Sequence, residues 1–136
     1  MTNFRKHLLL AVLTAFALPV LSAIAAAQQP PSGEQPVNVA GNWTIYSKSD
    51  NGKTADKSVE IQQNGSTLTG HFKGPNQSGG IEGTINGKHI VFHTKTRNVL
   101  TFRGQVEGDT IHGTWGIHGE KIKPMQGEWE GRRTSQ

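Results

Sequence analysis

Beyond residue 38 the chain alternates apolar and polar positions with the period of a β-strand, and no segment there has the period of a helix. Within this alternation, a unit with apolar residues at both ends and glycine at its centre recurs six times. The units are Val39/Gly41/Trp43, Leu68/Gly70/Phe72, Ile81/Gly83/Ile85, Phe102/Gly104/Val106, Ile111/Gly113/Trp115 and Met125/Gly127/Trp129. Because side chains two positions apart share one face of a strand, each glycine lies between two predicted core residues. Glycine at such a position lets a strand curl tightly and leaves room for a large neighbour.

Two further strands show the same alternation without the central glycine. Val59 and Ile61 face inward in residues 55–63, and Ile90 and Phe92 face inward in residues 88–95. The pattern therefore predicts an all-β fold with eight antiparallel strands. Short connections favour an up-and-down barrel, because a closed barrel has no unpaired edge strand. A sandwich of two sheets is the alternative.

Three tight turns predict how the strands pair. They are Asn64-Gly65, Asn86-Gly87 and Gly108-Asp109. The predicted pairs are Ile61 with Leu68, Gly83 with Ile90, Val106 with Ile111, Gly104 with Gly113, and, in the last hairpin, Trp115 with Gly127 and Gly113 with Trp129. Every pair joins two inward positions, which is the consistency that a correct register requires.

The outward positions of these strands are almost all polar. They include Thr69, His71, Lys73, Glu82, Arg103 and His112. A barrel of the outer membrane needs apolar residues outside and polar residues inside. The observed pattern is the reverse, so it predicts a soluble barrel.

The first 27 residues have the composition of a secretory signal peptide. Arg5 and Lys6 precede an apolar stretch over residues 8–24, and three alanines at 25–27 supply a cleavage site. A transmembrane anchor is the weaker alternative, because Thr14, Pro19 and Ser22 interrupt the apolar stretch. We therefore expect a bacterial protein that is periplasmic or extracellular and does not span a membrane after cleavage. Residues 28–38 are rich in proline and glutamine and predict a flexible tether, followed by a barrel domain over residues 39–133.

Removal of the leader changes the charge of the protein. Arg5 and Lys6 are lost, and 12 basic residues then face 10 acidic ones. A net charge of +2 gives no footprint for nucleic acid, so we predict no nucleic-acid partner. The chain has no cysteine, which excludes a disulfide framework.

The predicted barrel has two unlike ends. The three short turns all lie at one end, the base, and the longer connections lie at the other end, the mouth. The mouth carries seven basic residues against two acidic ones, Asp50 and Glu120. The basic residues are Lys48, Lys53, Lys73, Lys95, Arg97, Lys121 and Lys123. Lys57 adds to this charge, because it shares the inward face of Val59 and Ile61 and is predicted to lie opposite Phe72.

An apolar interior beneath a basic mouth predicts a ligand site. The expected ligand-binding residues are Lys57, Phe72, Phe92, Phe102 and Trp115. The ligand would be small, apolar or amphiphilic and anionic, and Lys57 would meet its carboxylate or phosphate without forming a covalent bond. Core packing of the aromatic side chains is the alternative, because an eight-stranded barrel is just wide enough for its own side chains.

At the base, Gly41-Asn42-Trp43 begins the first strand and Arg132-Arg133 ends the last. This pattern resembles the calycin superfamily, the lipocalins and their relatives, in which an arginine near the end of the barrel covers a Gly-x-Trp on the first strand. The glycine-containing strands also look similar to small exported bacterial domains. The resemblance implies that Trp43 closes the base and that Arg132 or Arg133 covers it. We assign Gly41, Trp43, Trp129, Arg132 and Arg133 to this structural base. The chain departs from lipocalins in its short barrel and in lacking their C-terminal helix.

No motif in the sequence indicates catalysis: Gly-x-Ser-x-Gly, a phosphate loop and His-Glu-x-x-His are all missing. We therefore predict a protein that is not an enzyme and has no cofactor. His89 and His93 share a face but are about 13 Å apart on a strand, too far to hold one ion, so no metal site is predicted. The alternative to ligand binding is a protein-interaction or structural module of the cell envelope, with Tyr46 and Val91 as outward apolar residues.

Overall fold

The computed structural model describes residues 34–134 of the chain, and all of its regular structure is β-strand. The eight strands are β1 (Gly41–Ser49), β2 (Thr54–Asn64), β3 (Thr67–Lys73), β4 (Ser78–Asn86), β5 (His89–Thr94), β6 (Val99–Glu107), β7 (Thr110–Gly119) and β8 (Ile122–Arg133). The prediction of an all-β chain with eight antiparallel strands is confirmed. The predicted leader, residues 1–27, lies outside the described residues.

The strands close into a barrel in the order of the sequence. Each strand pairs antiparallel with the next, and β8 returns to pair with β1 from Trp43 opposite Arg133 to Ser49 opposite Gly127. This closure confirms the barrel and excludes the two-sheet sandwich. In the part of the chain that the structure describes, no helix has the length and apolar character needed to cross a membrane.

The interior of the barrel holds the residues that the alternation predicted. Trp43, Phe72, Phe92 and Phe102 are almost completely buried, and Trp115 and Trp129 are also in the core. Glycines make room for these rings on the facing strands: Gly113 lies opposite Trp129, and Gly127 lies opposite Trp115, as predicted.

The register of two hairpins differs from the prediction by two residues. Ile61 pairs with Gly70 rather than Leu68, and Gly83 pairs with Phe92 rather than Ile90. The reason is that the loops begin at Gly65 and Gly87, one residue later than we predicted. A shift of two keeps every side chain on its predicted face, so the core is unchanged.

The geometry of these turns explains the shift. Gly65, Gly87 and Gly108 have φ near +60°, and among the described residues only glycines have positive φ. Positive φ at the first loop position alone is the pattern of a type II′ turn, which places glycine first. Glycine is also first in the predicted Gly108-Asp109 turn, and there the predicted pairing of Val106 with Ile111 is confirmed.

The connection between β7 and β8 is shorter than predicted. Gly119 pairs with Ile122 across a turn of two residues, after an irregularity in the ladder between residues 117 and 119. The mouth therefore has three loops and one extended hairpin, rather than four loops.

The chain before β1 crosses the base of the barrel. Val37 N–H donates to the carbonyl of Gly87, and Gly87 N–H donates to the carbonyl of Glu34. The Gln63 amide accepts from Val39 N–H at 2.8 Å and donates to the Val37 carbonyl at 3.1 Å. Residues 34–38, which we predicted as part of a flexible tether, are thus bonded to the barrel domain.

Candidate functional site

A cavity of about 360 Å³ opens at the mouth of the barrel. It is bounded by the β1–β2 and β3–β4 connections, by Asn98 of the β5–β6 connection, and by the β7–β8 hairpin. On the cavity wall, Gln77 of the β3–β4 connection donates to the carbonyl of Asn98 at 2.6 Å. Asp50 N–H of the β1–β2 connection donates to the carbonyl of Gln126 in β8 at 2.9 Å. Both bonds join segments that are distant in sequence.

Apolar side chains form much of the cavity wall. Phe72 and Leu100 are buried beneath it, and Trp115 presents its indole. Ile117, Ile122 and Met125 complete this wall from the β7–β8 hairpin. Met125 is among the few large apolar side chains that remain exposed in the described residues. Such a wall can bury the hydrocarbon part of a ligand.

Lys57 points into the same cavity, as the alternation predicted. Only 9% of the residue is exposed, and its amine donates a hydrogen bond to the Ser47 hydroxyl oxygen. The Nζ atom also lies 5.6 Å from the centroid of the Trp115 ring. Burial lowers the pKa of this amine below its ordinary value of 10.5, and the nearby charge of Asp56 opposes part of the shift. The partner of Lys57 on β1 is Ile45; the predicted neighbour Phe72 pairs with Val59 instead.

Two serines of β1 also line the cavity, and neither was among the predicted site residues. Ser47 donates to the carbonyl of Ala55 at 3.1 Å, and Ser49 donates to the carbonyl of Lys53 at 3.1 Å. Both are buried, because the inward alternation of β1 continues from Trp43 through Ile45 to these positions. Extending that alternation to the end of the strand would have identified them.

The structure brings Lys57, Phe72 and Trp115 together at the cavity but places Phe92 and Phe102 elsewhere in the core. The rings of Phe92 and Phe102 stack with centroids 4.9 Å apart, and Trp129 meets both edge-on. These three rings fill the barrel and do not line the cavity. Trp129 is buried with both phenylalanines, and its indole donates to the carbonyl of Arg103 at 3.0 Å.

The basic residues of the mouth contribute little to the cavity itself. Of the seven predicted there, only Lys53 lines it. Lys95 instead pairs with Glu82 on the outer face at 2.9 Å, and this hydrogen bond lowers the pKa of the Glu82 carboxyl. The positive charge that reaches the interior therefore comes mainly from Lys57 and Lys53.

At the opposite end, Arg133 is the arginine that covers Trp43, with its guanidinium carbon 4.5 Å from the ring centroid. Arg132 points outward, where it bonds Glu130 and lies over the ring of Tyr46. Gly41 lies beside this contact: a Cβ on it would be 3.4 Å from the Arg133 guanidinium.

The described histidines after β1 are all exposed to solvent. His112 Nδ1 lies 3.7 Å from the Glu130 carboxylate, and His93 lies 3.9 Å from Glu82. Within residues 34–134, no group of three or more histidine, cysteine or acidic side chains is placed to hold a metal ion.

Comparison with solved structures shows a similar barrel. The chain matches bradavidin2, solved as a complex with biotin, with a TM-score of 0.56 and 14% sequence identity. The match covers 73% of this chain and 100% of bradavidin2. At this identity the match shows a similarity of fold alone. No family model matches the sequence, and no curated protein matches it either.

Proposed function

We propose that this barrel binds a small amphiphilic ligand with an anionic head, non-covalently, in the cavity at its mouth. The observation that carries the proposal is the buried Lys57 amine facing an apolar cavity of about 360 Å³. Cavities of roughly 300–1,000 Å³ with apolar walls and a few polar groups are typical of ligand sites.

The apolar wall would supply most of the affinity. Ile117, Ile122 and Met125 of the β7–β8 hairpin line the cavity and keep exposed apolar surface that a hydrocarbon chain would cover, whereas Phe72 and Leu100 are already almost fully buried. Each Å² of apolar area removed from water contributes about 25 cal/mol before the costs of association.

Lys57 would orient the ligand by its charge. Within residues 34–134, the structure shows no salt bridge to this amine. A buried ammonium without a counter-ion is costly, and an anionic head that enters the cavity would relieve that cost. The Ser47 and Ser49 side chains lie on the same wall and add polar contacts.

The likeness to bradavidin2 supports this role for the fold, since that protein was solved with biotin bound. We include biotin among the test ligands for this reason. The nature of the ligand is proposed from the cavity of this chain.

The test is a calorimetric titration with octanoate, decanoate, biotin and the neutral analogue octanol, with tryptophan fluorescence as a second readout. We expect at least one anion to bind and to change the emission of Trp115, which lines the cavity. The Lys57→Met variant should lose roughly tenfold or more in affinity for the anion and little for octanol.

Lys73→Met is the matched control, because Lys73 is exposed on the outer face of β3 near the mouth. It should leave both affinities unchanged. Failure of every ligand to bind would contradict the proposal. Equal losses for anion and alcohol in Lys57→Met would leave a binding cavity but remove the role of the charge.

Interaction with a protein partner stays the alternative. Tyr46 is 43% exposed on the outside of β1, and the Arg132 guanidinium lies over its ring. A single ring is too small for an apolar interaction patch. We therefore favour the cavity, and we further propose that the protein acts outside the cytoplasm after export.

A further inference from the structure

In the fraction of molecules in which the Lys57 amine is neutral, its hydrogen bonds leave the nitrogen lone pair free. The amine donates to the Ser47 oxygen, and the Ser47 hydroxyl hydrogen is already donated to the carbonyl of Ala55 at 3.1 Å. Ser47 therefore has no hydrogen left to offer to the Lys57 nitrogen. A neutral amine held in this way presents its lone pair to whatever enters the cavity.

Burial of Lys57 increases the fraction of the neutral amine, the form that a nucleophile needs. Desolvation lowers the pKa of the amine, and the structure shows no ion pair with it in the described residues. The charge of Asp56 opposes part of this shift, so burial is the cause that lowers the pKa. Amines desolvated beside apolar groups or other cations are the ones that form Schiff bases with carbonyl compounds.

We propose that Lys57 captures apolar aldehydes covalently, as an imine formed inside the mouth cavity. This inference shares the mouth cavity with the proposed function but does not require that an anion binds there. The Lys57 nitrogen attacks the carbonyl carbon and forms a C–N bond, and a proton moves from nitrogen to oxygen. The hydroxyl then leaves as water with the second proton of the nitrogen, which breaks the C–O bond and forms a C=N double bond. No oxidant or reductant is needed, and hydrolysis reverses the reaction.

The cavity selects the aldehyde by its chain. Ile117, Ile122 and Met125 offer exposed apolar surface on the wall of the same cavity, so an aliphatic aldehyde gains binding energy that a polar aldehyde does not. The Trp115 ring, 5.6 Å from Nζ, also favours the positive charge of a protonated imine. The ligand class is therefore a medium-chain aliphatic aldehyde.

The experiment treats the barrel protein with octanal and cyanoborohydride at neutral pH and maps the alkylated lysines by peptide mass spectrometry. We expect Lys57 to be alkylated roughly tenfold faster than the exposed lysines, in spite of its burial. The rate at Lys57 should level off at a lower pH than the rate at Lys73. Glyceraldehyde, a polar aldehyde, should show no preference for Lys57.

Alkylation spread evenly over the exposed lysines, with Lys57 unmodified, would overturn the inference even if octanoate binds. Alkylation of Lys57 without any octanoate binding would support covalent capture and contradict the proposed anion site. In Lys57→Met, alkylation of the remaining lysines should continue at its slow rate. The mapping in the unmodified sequence is decisive if that variant fails to fold.

Discussion

The guanidinium of Arg133 lies over the indole of Trp43 at the base of the barrel, with 4.5 Å between its carbon and the ring centroid. The same side chain donates to the carbonyls of Ala40 at 2.6 Å and Asn38 at 3.0 Å. It also pairs with Asp109 of the β6–β7 turn at 2.9 Å. One side chain thus joins the first strand, the last strand, a turn and the segment that crosses the base.

Replacing Arg133 should therefore destabilise the fold far more than replacing its neighbour. We expect Arg133→Ala to lower the free energy of unfolding by about 2 kcal/mol, because charged hydrogen bonds and a cation–π contact are lost together. Arg132→Ala is the control, since the Arg132 side chain is 66% exposed and contacts only surface groups; it should cost less than about 0.5 kcal/mol. Denaturant unfolding measures both, and equal losses would contradict the assignment.

Two glycines of β7 provide a second matched pair. A Cβ at Gly113 would overlap the carbonyl oxygen of Arg103 and lie 2.6 Å from the Cα of Gly104. A Cβ at Gly116 would meet only the Met125 carbonyl oxygen, at 3.8 Å. We expect Gly113→Ala to cost about 3 kcal/mol or more, and Gly116→Ala to be neutral or slightly stabilising. Thermal unfolding checks this, and an unchanged Tm for Gly113→Ala would contradict the close approach of β6 and β7.

The alternation of residues was sufficient to predict the strands and the core, because one buried face fixes the orientation of every side chain. It did not determine the register of two hairpins. Asn-Gly indicates a turn but does not say whether glycine is first or second in the loop, and the structure puts it first at Gly65 and Gly87. The choice depends on backbone dihedral angles that the alternation does not contain.

The candidate site was predictable only in part. Inward orientation identified Lys57, but it applies equally to Phe72 at the cavity and to Phe102 in the packed core. Which ring faces empty space depends on how the core fills around Trp129. The binding of residues 34–38 to the base was missed for a related reason: Val37 lies among prolines and polar residues, and only the folded barrel provides the Gln63 amide that donates to its carbonyl.

Lys57 should make stability depend on pH. Its pKa is lowered in the folded protein, so the unfolded chain binds more protons between that lowered pKa and 10.5. The free energy of unfolding therefore rises with pH through that window. Below the window the buried amine is charged, and the full cost of burying that charge lowers the free energy of unfolding. We expect Lys57→Met to be more stable than the parent at neutral pH, with the difference shrinking toward pH 10.5. Unfolding at a series of pH values tests this, and a difference that grows with pH would contradict it.

Export predicts a specific mature chain. The small residues at 25–27 predict cleavage after Ala27, so that the exported protein would begin at Gln28. Expression of the full chain in a bacterium, followed by fractionation and intact-mass measurement, should find the shortened protein outside the cytoplasm. A variant with Arg at Ala25 and Ala27 should accumulate uncleaved. Recovery of the full-length chain in the cytoplasm from the unaltered sequence would contradict the prediction.

Binding of a carboxylate ligand should weaken as pH rises. The ligand needs the charged form of Lys57, and burial makes that form scarce at a lower pH than for an ordinary lysine. Affinity for octanoate should therefore be highest well below pH 10.5 and fall through the lowered pKa, whereas affinity for octanol should stay constant. Well below that pKa the amine is already charged, so binding should take up no proton. Close to the pKa part of the amine is neutral, so binding of the anion should take up a proton. Calorimetry in buffers of different ionisation enthalpy measures this uptake. The Lys57→Met variant should lose this pH dependence. Because Lys53 lines the same cavity, Lys53→Met is the second control; loss of the dependence in that variant alone would move the anion contact from Lys57 to Lys53.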